Sequence, residues 1–165
     1  MDINLRQVRD VEFDAVYEIL HENATWLLSK DIFQWPLAWL ESIRPEIRAS
    51  IKAELFYAVE LDNAFVAVLE IRSAPEILWG NNQDEALYIH KLAIQRKYSD
   101  SSLGRNILAL MKTEARQKNI NFLRLDCVAH NNKLREYYES CGFNLKGIVD
   151  AGEVNFALYE HQIQR

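Results

Sequence analysis

Residues 85–94 form a strand-like run that leads through a polar loop into a helix beginning at about Leu103. A helix N-terminus presents unpaired backbone N–H groups and the positive end of the helix dipole, which together favour a phosphate. Three cations surround this junction in the sequence: Arg96, Lys97 and Arg105. The segment is therefore a candidate phosphate site, although many strand–loop–helix junctions bind nothing.

A second segment of interest follows a predicted strand at residues 121–128. Asn131 suits the N-cap of the next helix, and Gly142 suits the left-handed residue that ends a helix. Tyr138 falls at helical spacing with the apolar Leu134, which is the spacing of core residues. From spacing alone, this segment is a short helix packed between two strands.

The elements that position these two segments follow the order β-α-α-β-β-β-α-β-α-β-β. Strand–helix–strand units in the second half imply local parallel pairing, and a hairpin at Asp62-Asn63 implies antiparallel pairing. The strands are predicted at 3–8, 55–61, 64–71, 85–94, 121–128, 143–149 and 153–162. The helix after the polar loop has apolar positions at Gly104, Ile107, Leu108, Met111 and Ala115. We expect one α/β domain over residues 1–165, with a mixed sheet and helices on both faces.

The two segments together resemble the signature motifs of the GNAT superfamily, the acyl-CoA-dependent N-acyltransferases. Asn131 and the Tyr-x-x-x-Gly-Phe run from Tyr138 to Phe143 match the second motif, which is specific when it follows a strand. Residues 92–94, Leu-Ala-Ile, match the usual end of the family's central strand. The resemblance implies a twisted, mostly antiparallel sheet of six to seven strands, whose two central strands splay apart and admit the pantetheine arm of the cofactor.

The pyrophosphate loop departs from the family pattern of Gln/Arg-x-x-Gly-x-Gly/Ala. Here Ser99 replaces the Gln or Arg, Ser102 replaces the middle Gly, and only Gly104 matches. Asp100 adds a negative charge, but backbone N–H groups and serine hydroxyls can still donate. The resemblance implies that acetyl-CoA is bound by Leu92, Ala93, Ile94, Ser99, Asp100, Ser101, Ser102, Leu103, Gly104, Arg105 and Asn131.

The resemblance also implies two catalytic groups. Tyr138 falls where the family has its general acid, and a phenol with a pKa near 10 can protonate a CoA thiolate. His90 falls where some members have a histidine that deprotonates the amine through water, a task that imidazole suits near neutral pH. The alternatives are core packing for Tyr138, a hydrogen-bonded strand position for His90, and Glu60 or Glu70 as the base. Backbone N–H groups at 92–93 would bind the oxyanion.

Aromatic residues are the candidates for acceptor binding. Trp26 and Trp35 lie in the region that forms a wall of the acceptor cleft in this family, and Tyr88 shares a strand face with His90; core packing is the alternative for the tryptophans. We expect acetyl transfer from acetyl-CoA to a primary amine of a small acceptor, by direct attack in a ternary complex. An inactive acyl-CoA-binding module is the first alternative, and a purely structural α/β domain is the second.

The composition excludes several partners. The chain has 19 Lys+Arg and 24 Asp+Glu, a net charge of −5, and no basic run, which argues against nucleic acid and weakly favours a cationic amine. The longest apolar run, 64–69, is far short of the roughly 20 residues that span a bilayer, and the N-terminus has no signal-peptide pattern. The two cysteines and four histidines lack metal-ligand spacing. We expect a cytoplasmic monomer or homodimer with reduced core cysteines and no metal.

Overall fold

The computed structural model describes residues 2–99 and 102–164, and within them it contains seven strands and five α-helices. The strands are β1 (Ile3–Gln7), β2 (Phe56–Leu61), β3 (Ala64–Arg72), β4 (Ala86–Ile94), β5 (Phe122–Val128), β6 (Asn144–Asp150) and β7 (Asn155–Gln162). The helices are α1 (Phe13–Ser29), α2 (Leu37–Ser42), α3 (Arg44–Lys52), α4 (Leu103–Gln117) and α5 (Asn132–Ser140).

The strands form one mixed sheet in the order β1-β2-β3-β4-β5-β7-β6. The pairs β1–β2, β2–β3, β5–β7 and β6–β7 are antiparallel, whereas β4 and β5 are parallel. This confirms the predicted α/β class and the mostly antiparallel sheet. In the sheet, β7 lies between β5 and β6. The order of the strands along the sequence does not predict this position.

The chain divides into two compact units, of which the first comprises Met1–Ile71 and Lys91–Ile107. Its core is built on the apolar face of α1, where Val16, Leu20 and Ala24 have no exposed surface. The spacing of these residues places them on one side of a helix, which explains why the segment is helical. Residues from α2, α3 and β2 complete this core: Leu40, Ile47, Ile51, Phe56 and Ala58.

The region between α1 and β2 contains two helices, where the predicted element order has one helix that begins near Pro36 and that Pro45 either breaks or restarts. Ile43 separates α2 from α3, and Pro45 lies in the first turn of α3. A proline at this position loses no helical hydrogen bond, because the first N–H groups of a helix have no partner within it. Pro45 therefore starts a new helix, and the predicted element order was short by one helix.

The turn between β2 and β3 confirms the predicted hairpin. Asp62 and Asn63 have φ angles of 49° and 67°, so both central residues are left-handed. This is the geometry of a type I′ turn, whose twist matches that of the flanking strands, and Asp and Asn tolerate it better than most residues.

The second unit comprises Arg72–His90 and Leu108–Arg165. It contains most of α4, and all four of the larger apolar positions predicted for that helix are at most 1% exposed: Ile107, Leu108, Met111 and Ala115. β5 is buried more completely than its sequence suggests, since Arg124 and Val128 are buried along with Leu123, Leu125 and Cys127.

Both cysteines of the second unit are buried free thiols, as expected for core residues. Burial is the main reason that the pKa of Cys127 rises to about 12. The thiol is therefore protonated at neutral pH and is a poor nucleophile.

Two kinds of feature are not found in residues 2–99 and 102–164. No helix there has the length and apolar character needed to cross a membrane. No cluster of three or more His, Cys, Asp or Glu side chains there could hold a metal ion.

Candidate active site

The middle of β4 has an irregular backbone. Lys91 has a φ of 50°, in the left-handed region, which disfavours residues with a Cβ by about 1–2 kcal/mol. His90 comes directly before this residue, and residues 92–94 complete the strand after it. Such irregularities disrupt the ladder locally and redirect side chains, and they are frequent beside active sites. Here the irregularity falls where the sequence predicts the reacting thioester.

The parallel pairing of β4 with β5 is short. It joins Ala86 to Phe122, Leu87 to Leu123 and Tyr88 to Arg124. Both strands continue beyond the last pair, β4 to Ile94 and β5 to Val128. The pairing therefore involves only the beginning of β4, and a splay of the two central strands that admits a pantetheine arm stays a prediction.

Glu70 and Glu60, the alternative bases, are both held in ion pairs. The carboxylate of Glu70 is fully buried and lies 2.7 Å from the Nζ atom of Lys91. Glu60 accepts a hydrogen bond of 2.7 Å from the Nε atom of Arg6, and this contact lowers the pKa of Glu60. A carboxylate stabilised in its charged form is a weaker base. Their environments make both residues less suited to deprotonating an amine than His90.

The imidazole of His90 is oriented by Glu76, a residue that the sequence did not suggest. The Nε2 atom of His90 lies 3.0 Å from Oε1 of Glu76, and each side chain is 23% exposed. Because an ionised carboxylate can only accept a hydrogen bond, Nε2 must carry the proton. In the neutral imidazole the lone pair is then on Nδ1, so Nδ1 is the atom that can act as a base.

The ring of Tyr138 is packed inside an aromatic cluster. Its centroid lies 6.0 Å from that of Tyr137, 6.2 Å from that of Phe143 and 6.0 Å from that of Tyr159. The residue is 8% exposed, and its hydroxyl makes no hydrogen bond to another described residue. Because no fully buried polar side-chain atom in the described residues lacks a partner, this hydroxyl keeps some access to solvent. The packing alternative therefore accounts for the ring of Tyr138 and leaves the hydroxyl without a structural role.

The surroundings of Tyr138 keep its hydroxyl protonated. Burial, with a smaller effect of nearby acidic groups, raises the pKa of Tyr138 well above its ordinary value near 10. A thiol in water has a pKa near 8.5, which is lower than the pKa of this phenol, so proton transfer from Tyr138 to a solvated thiolate is unfavourable. Burial of the thiolate raises its basicity and makes the transfer easier. The hydroxyl is thus protonated at neutral pH and can donate a proton to a leaving group.

Asn131 caps α5, as the sequence predicted. Its side-chain oxygen accepts a hydrogen bond of 3.3 Å from the backbone N–H of Leu134, and the residue is 6% exposed. Gly142 follows the helix with a φ of 86°, so it is the predicted left-handed terminator. The contact of Asn131 with a pantetheine arm remains a prediction.

The loop after β4 begins with a short 3₁₀ turn, Arg96–Tyr98. The hydroxyl of Ser99 closes this turn by donating a 2.7 Å hydrogen bond to the carbonyl of Arg96. Ser102 accepts the first helical bond of α4, from the N–H of Asn106 at 3.0 Å. Leu103 and Gly104 are buried and Arg105 is exposed. Two predicted cofactor-binding residues, Asp100 and Ser101, lie outside the described residues.

At the end of β4, Ala93 is buried in the core of the first unit, and Leu92 and Ile94 are partly exposed. The carbonyl of Ile94 accepts a 2.9 Å hydrogen bond from the side chain of Asn23 on α1. This bond attaches the end of the strand to α1.

The three aromatic candidates for acceptor binding have different surroundings. Trp35 is partly buried against the core of the first unit, which favours the packing alternative. Trp26 is 36% exposed, and the guanidinium of Arg96 lies 3.8 Å from the centre of its ring. Tyr88 is 2% exposed, and its hydroxyl accepts a 3.0 Å hydrogen bond from Arg124.

Arg124 is the centre of a buried polar network in the second unit. It is 1% exposed, and besides Tyr88 it binds Glu160 at 2.8 Å and Asp84 at 2.9 Å. Its guanidinium also lies 4.6 Å from the ring centre of Trp79. A buried arginine with all these partners is fully satisfied, so it fixes the position of Tyr88 beside His90 on β4.

The sequence profile of the Acetyltransferase (GNAT) family matches residues 13–143. This range is most of the chain, and the chain belongs to that family. Its members are acetyltransferases, so the protein falls in the acyltransferase class.

Individual relatives support this assignment. The chain is 28% identical over 161 residues to YesJ of Bacillus subtilis (strain 168), an uncharacterised N-acetyltransferase, and the match covers 90% of this chain and 88% of YesJ. A GNAT-family acetyltransferase of Listeria monocytogenes 4b F2365 has a similar fold, with a TM-score of 0.79 and 23% identity; the match covers 97% of this chain and 94% of the Listeria chain. The PaiA N-acetyltransferase of Thermoplasma acidophilum, solved in complex with coenzyme A, has a TM-score of 0.72 and 16% identity; the match covers 98% of this chain and 99% of the PaiA chain.

Proposed function

We propose that the whole chain is one catalytic domain that transfers an acetyl group from acetyl-CoA to a primary amine of a small acceptor. The observation that carries this proposal is Tyr138, whose ring is packed among aromatic side chains and whose hydroxyl is not used in a hydrogen bond to another described residue. Its place in the Asn131–Phe143 motif of the family supports the role of general acid.

The residues at the start of α4 suit a polyphosphate such as that of CoA. The first turn of a helix directs N–H groups outward, Ser102 adds a hydroxyl, and Arg96 and Arg105 add positive charge. Acetyl-CoA would supply an activated acetyl thioester at this site. Helix donors depend on backbone geometry, so they can hold a phosphate although the loop lacks the usual arginine and glycine.

The proposed reaction is a direct attack in a ternary complex. The amine nitrogen forms a bond to the acetyl carbon, the bond from that carbon to sulfur breaks, and backbone N–H groups at 92–93 stabilise the charge on the carbonyl oxygen. Nδ1 of His90, directly or through water, takes a proton from the amine. The hydroxyl of Tyr138 gives its proton to the departing thiolate.

A non-catalytic acyl-CoA-binding module is the second candidate. The observation that favours it is the altered loop, in which Ser99 and Ser102 stand in place of the family's Arg or Gln and Gly. This module would bind the cofactor and leave the phenol of Tyr138 unused.

Two measurements separate these candidates. Calorimetry with acetyl-CoA tests binding, and thiol release across a panel of polyamines, amino acids and peptide N-termini tests transfer. Binding with release of thiol on at least one amine supports the enzyme. Binding without release on any amine supports the module, and the absence of binding contradicts both.

A further inference from the structure

The guanidinium of Arg96, at the start of the loop that follows β4, lies over the indole ring of Trp26. The central carbon of its guanidinium is 3.8 Å from the centre of the indole ring. A guanidinium at this distance gains cation–π and stacking energy, most strongly on tryptophan. A cation–π contact of this kind does not use the N–H donors of the guanidinium for hydrogen bonds.

The backbone of Arg96 is fixed independently of its side chain. Its N–H donates a 3.0 Å hydrogen bond to the carboxylate of Glu22, and its carbonyl accepts the hydroxyl of Ser99 at 2.7 Å. Glu22 and Trp26 are four residues apart on α1 and therefore lie on the same face of that helix. One face of α1 thus holds both the backbone and the guanidinium of Arg96.

The charge of Arg96 has no acidic partner within ion-pair distance in the described residues. Arg48 differs in this respect. It stacks on Phe13 at 4.0 Å and also lies 3.9 Å from Asp10. Glu22 binds the backbone of Arg96 and not its guanidinium. A cation that is partly buried, oriented and unpaired is suited to binding an anion from solution.

We propose that Arg96, positioned by Trp26, donates hydrogen bonds to a phosphate group of CoA and replaces the charge that Ser99 does not carry. This inference rests on the proposed function. It also changes the role expected for Trp26, which becomes a positioning residue for the cofactor site and not part of the acceptor site.

The test is calorimetry of CoA and 3′-dephospho-CoA with five proteins: the wild type, Arg96→Ala, Trp26→Leu, the double variant, and Arg48→Ala as a matched control. We expect Arg96→Ala to weaken CoA binding about 10-fold, the scale of one charge-assisted hydrogen bond at a partly exposed site. Trp26→Leu should weaken it about 3-fold, and the double variant should be no weaker than Arg96→Ala. Arg48→Ala removes the same charge and a similar stacking contact, and should bind like the wild type.

The two ligands identify which phosphate is bound. If Arg96→Ala loses the same factor of affinity for both ligands, Arg96 binds the diphosphate. If it loses affinity for CoA alone, Arg96 binds the 3′-phosphate. The thermal midpoint of each variant confirms that it is folded.

Wild-type affinity in folded Arg96→Ala would overturn the inference while leaving the proposed function intact. The inference would also be overturned if Trp26→Leu weakened CoA binding by the same factor in the Arg96→Ala background as in the wild type. Failure of the wild type to bind CoA would overturn the inference and the proposed function together.

Discussion

The ammonium group of Lys91 lies 2.7 Å from a carboxylate oxygen of Glu70, so this contact joins β4 to β3. Lys91 is the one left-handed residue described within β4. Glu70 is fully buried. The ion pair therefore compensates a buried charge, and one of its members is the residue whose backbone is left-handed.

Lys91→Met should lower the free energy of unfolding by about 3 kcal/mol, because it removes the ammonium group that compensates the buried carboxylate of Glu70. The double variant Lys91→Met with Glu70→Gln should recover part of this loss, since it also removes the buried charge. Urea unfolding of the three proteins measures both effects. A single variant within about 0.5 kcal/mol of the wild type would mean that the pair does not stabilise the strand.

Tyr138→Phe should retain CoA affinity and lower turnover by roughly 10²- to 10⁴-fold, the range typical of a general acid. Its free energy of unfolding should change little, because the hydroxyl makes no hydrogen bond to another described residue. Steady-state kinetics and calorimetry provide the two measurements.

Tyr159→Phe is the matched control for this tyrosine. The hydroxyl of Tyr159 binds Arg135 at 3.1 Å and Glu139 at 2.8 Å, so its removal should cost about 1 kcal/mol of stability while leaving turnover within about threefold. If folded Tyr138→Phe turns over like the wild type, Tyr138 is a packing residue only.

If His90 is the general base, turnover depends on pH through its protonation. His90→Ala should remove this pH dependence of turnover, with little effect on CoA affinity. Glu76→Gln should reduce turnover less, by about 10-fold, because glutamine can still accept the hydrogen bond from Nε2 but no longer stabilises the charged imidazole. The double variant should be no slower than His90→Ala, since the two residues act as a unit. Additive losses would show that Glu76 acts independently of His90.

The parts of the fold that the sequence predicted are those determined by local interactions. The left-handed turn at Asp62-Asn63, the cap by Asn131 and the buried face of α4 each depend on residues a few positions apart. The resemblance to the family added the positions of Tyr138 and His90, which no local pattern distinguishes from core residues.

The parts that could not be predicted depend on partners distant in sequence. Arg124 reads as the polar position of a half-exposed strand, but it is buried because Asp84 and Glu160 are 40 and 36 residues away and bind it. The side chain of Lys91 likewise pairs with Glu70, 21 residues earlier on another strand. A single sequence does not indicate such pairs, since many charged residues could pair with each other.

Acid should destabilise the protein partly through Glu12. Arg6 holds this carboxylate through two hydrogen bonds, at 2.8 and 2.9 Å, and this contact is the main reason that the pKa of Glu12 falls from 4.5 to about 2. A carboxylate whose pKa is lower in the folded state stabilises the fold above pH 4.5, and this contribution is lost as the pH falls towards 2. Glu12→Gln should therefore be less stable by about 2 kcal/mol at pH 7, and the difference should shrink towards zero near pH 2. Urea unfolding at pH 7, 5 and 3 checks this, and a difference that does not vary with pH would contradict it.

The last prediction separates the two roles of Asn131. Asn131→Ala should cost about 1 kcal/mol of stability, because it removes the oxygen that accepts the N–H of Leu134. Asn131→Asp keeps an accepting oxygen, so its free energy of unfolding should stay within about 0.5 kcal/mol of the wild type. An aspartate lacks the amide –NH₂, however, and if that group donates to the pantetheine arm, Asn131→Asp should weaken CoA binding by roughly 5- to 10-fold. Asn132→Asp adds the same charge at the next, exposed position and should bind CoA like the wild type. Equal affinity of Asn131→Asp and Asn132→Asp would mean that Asn131 caps α5 and does nothing more for the cofactor.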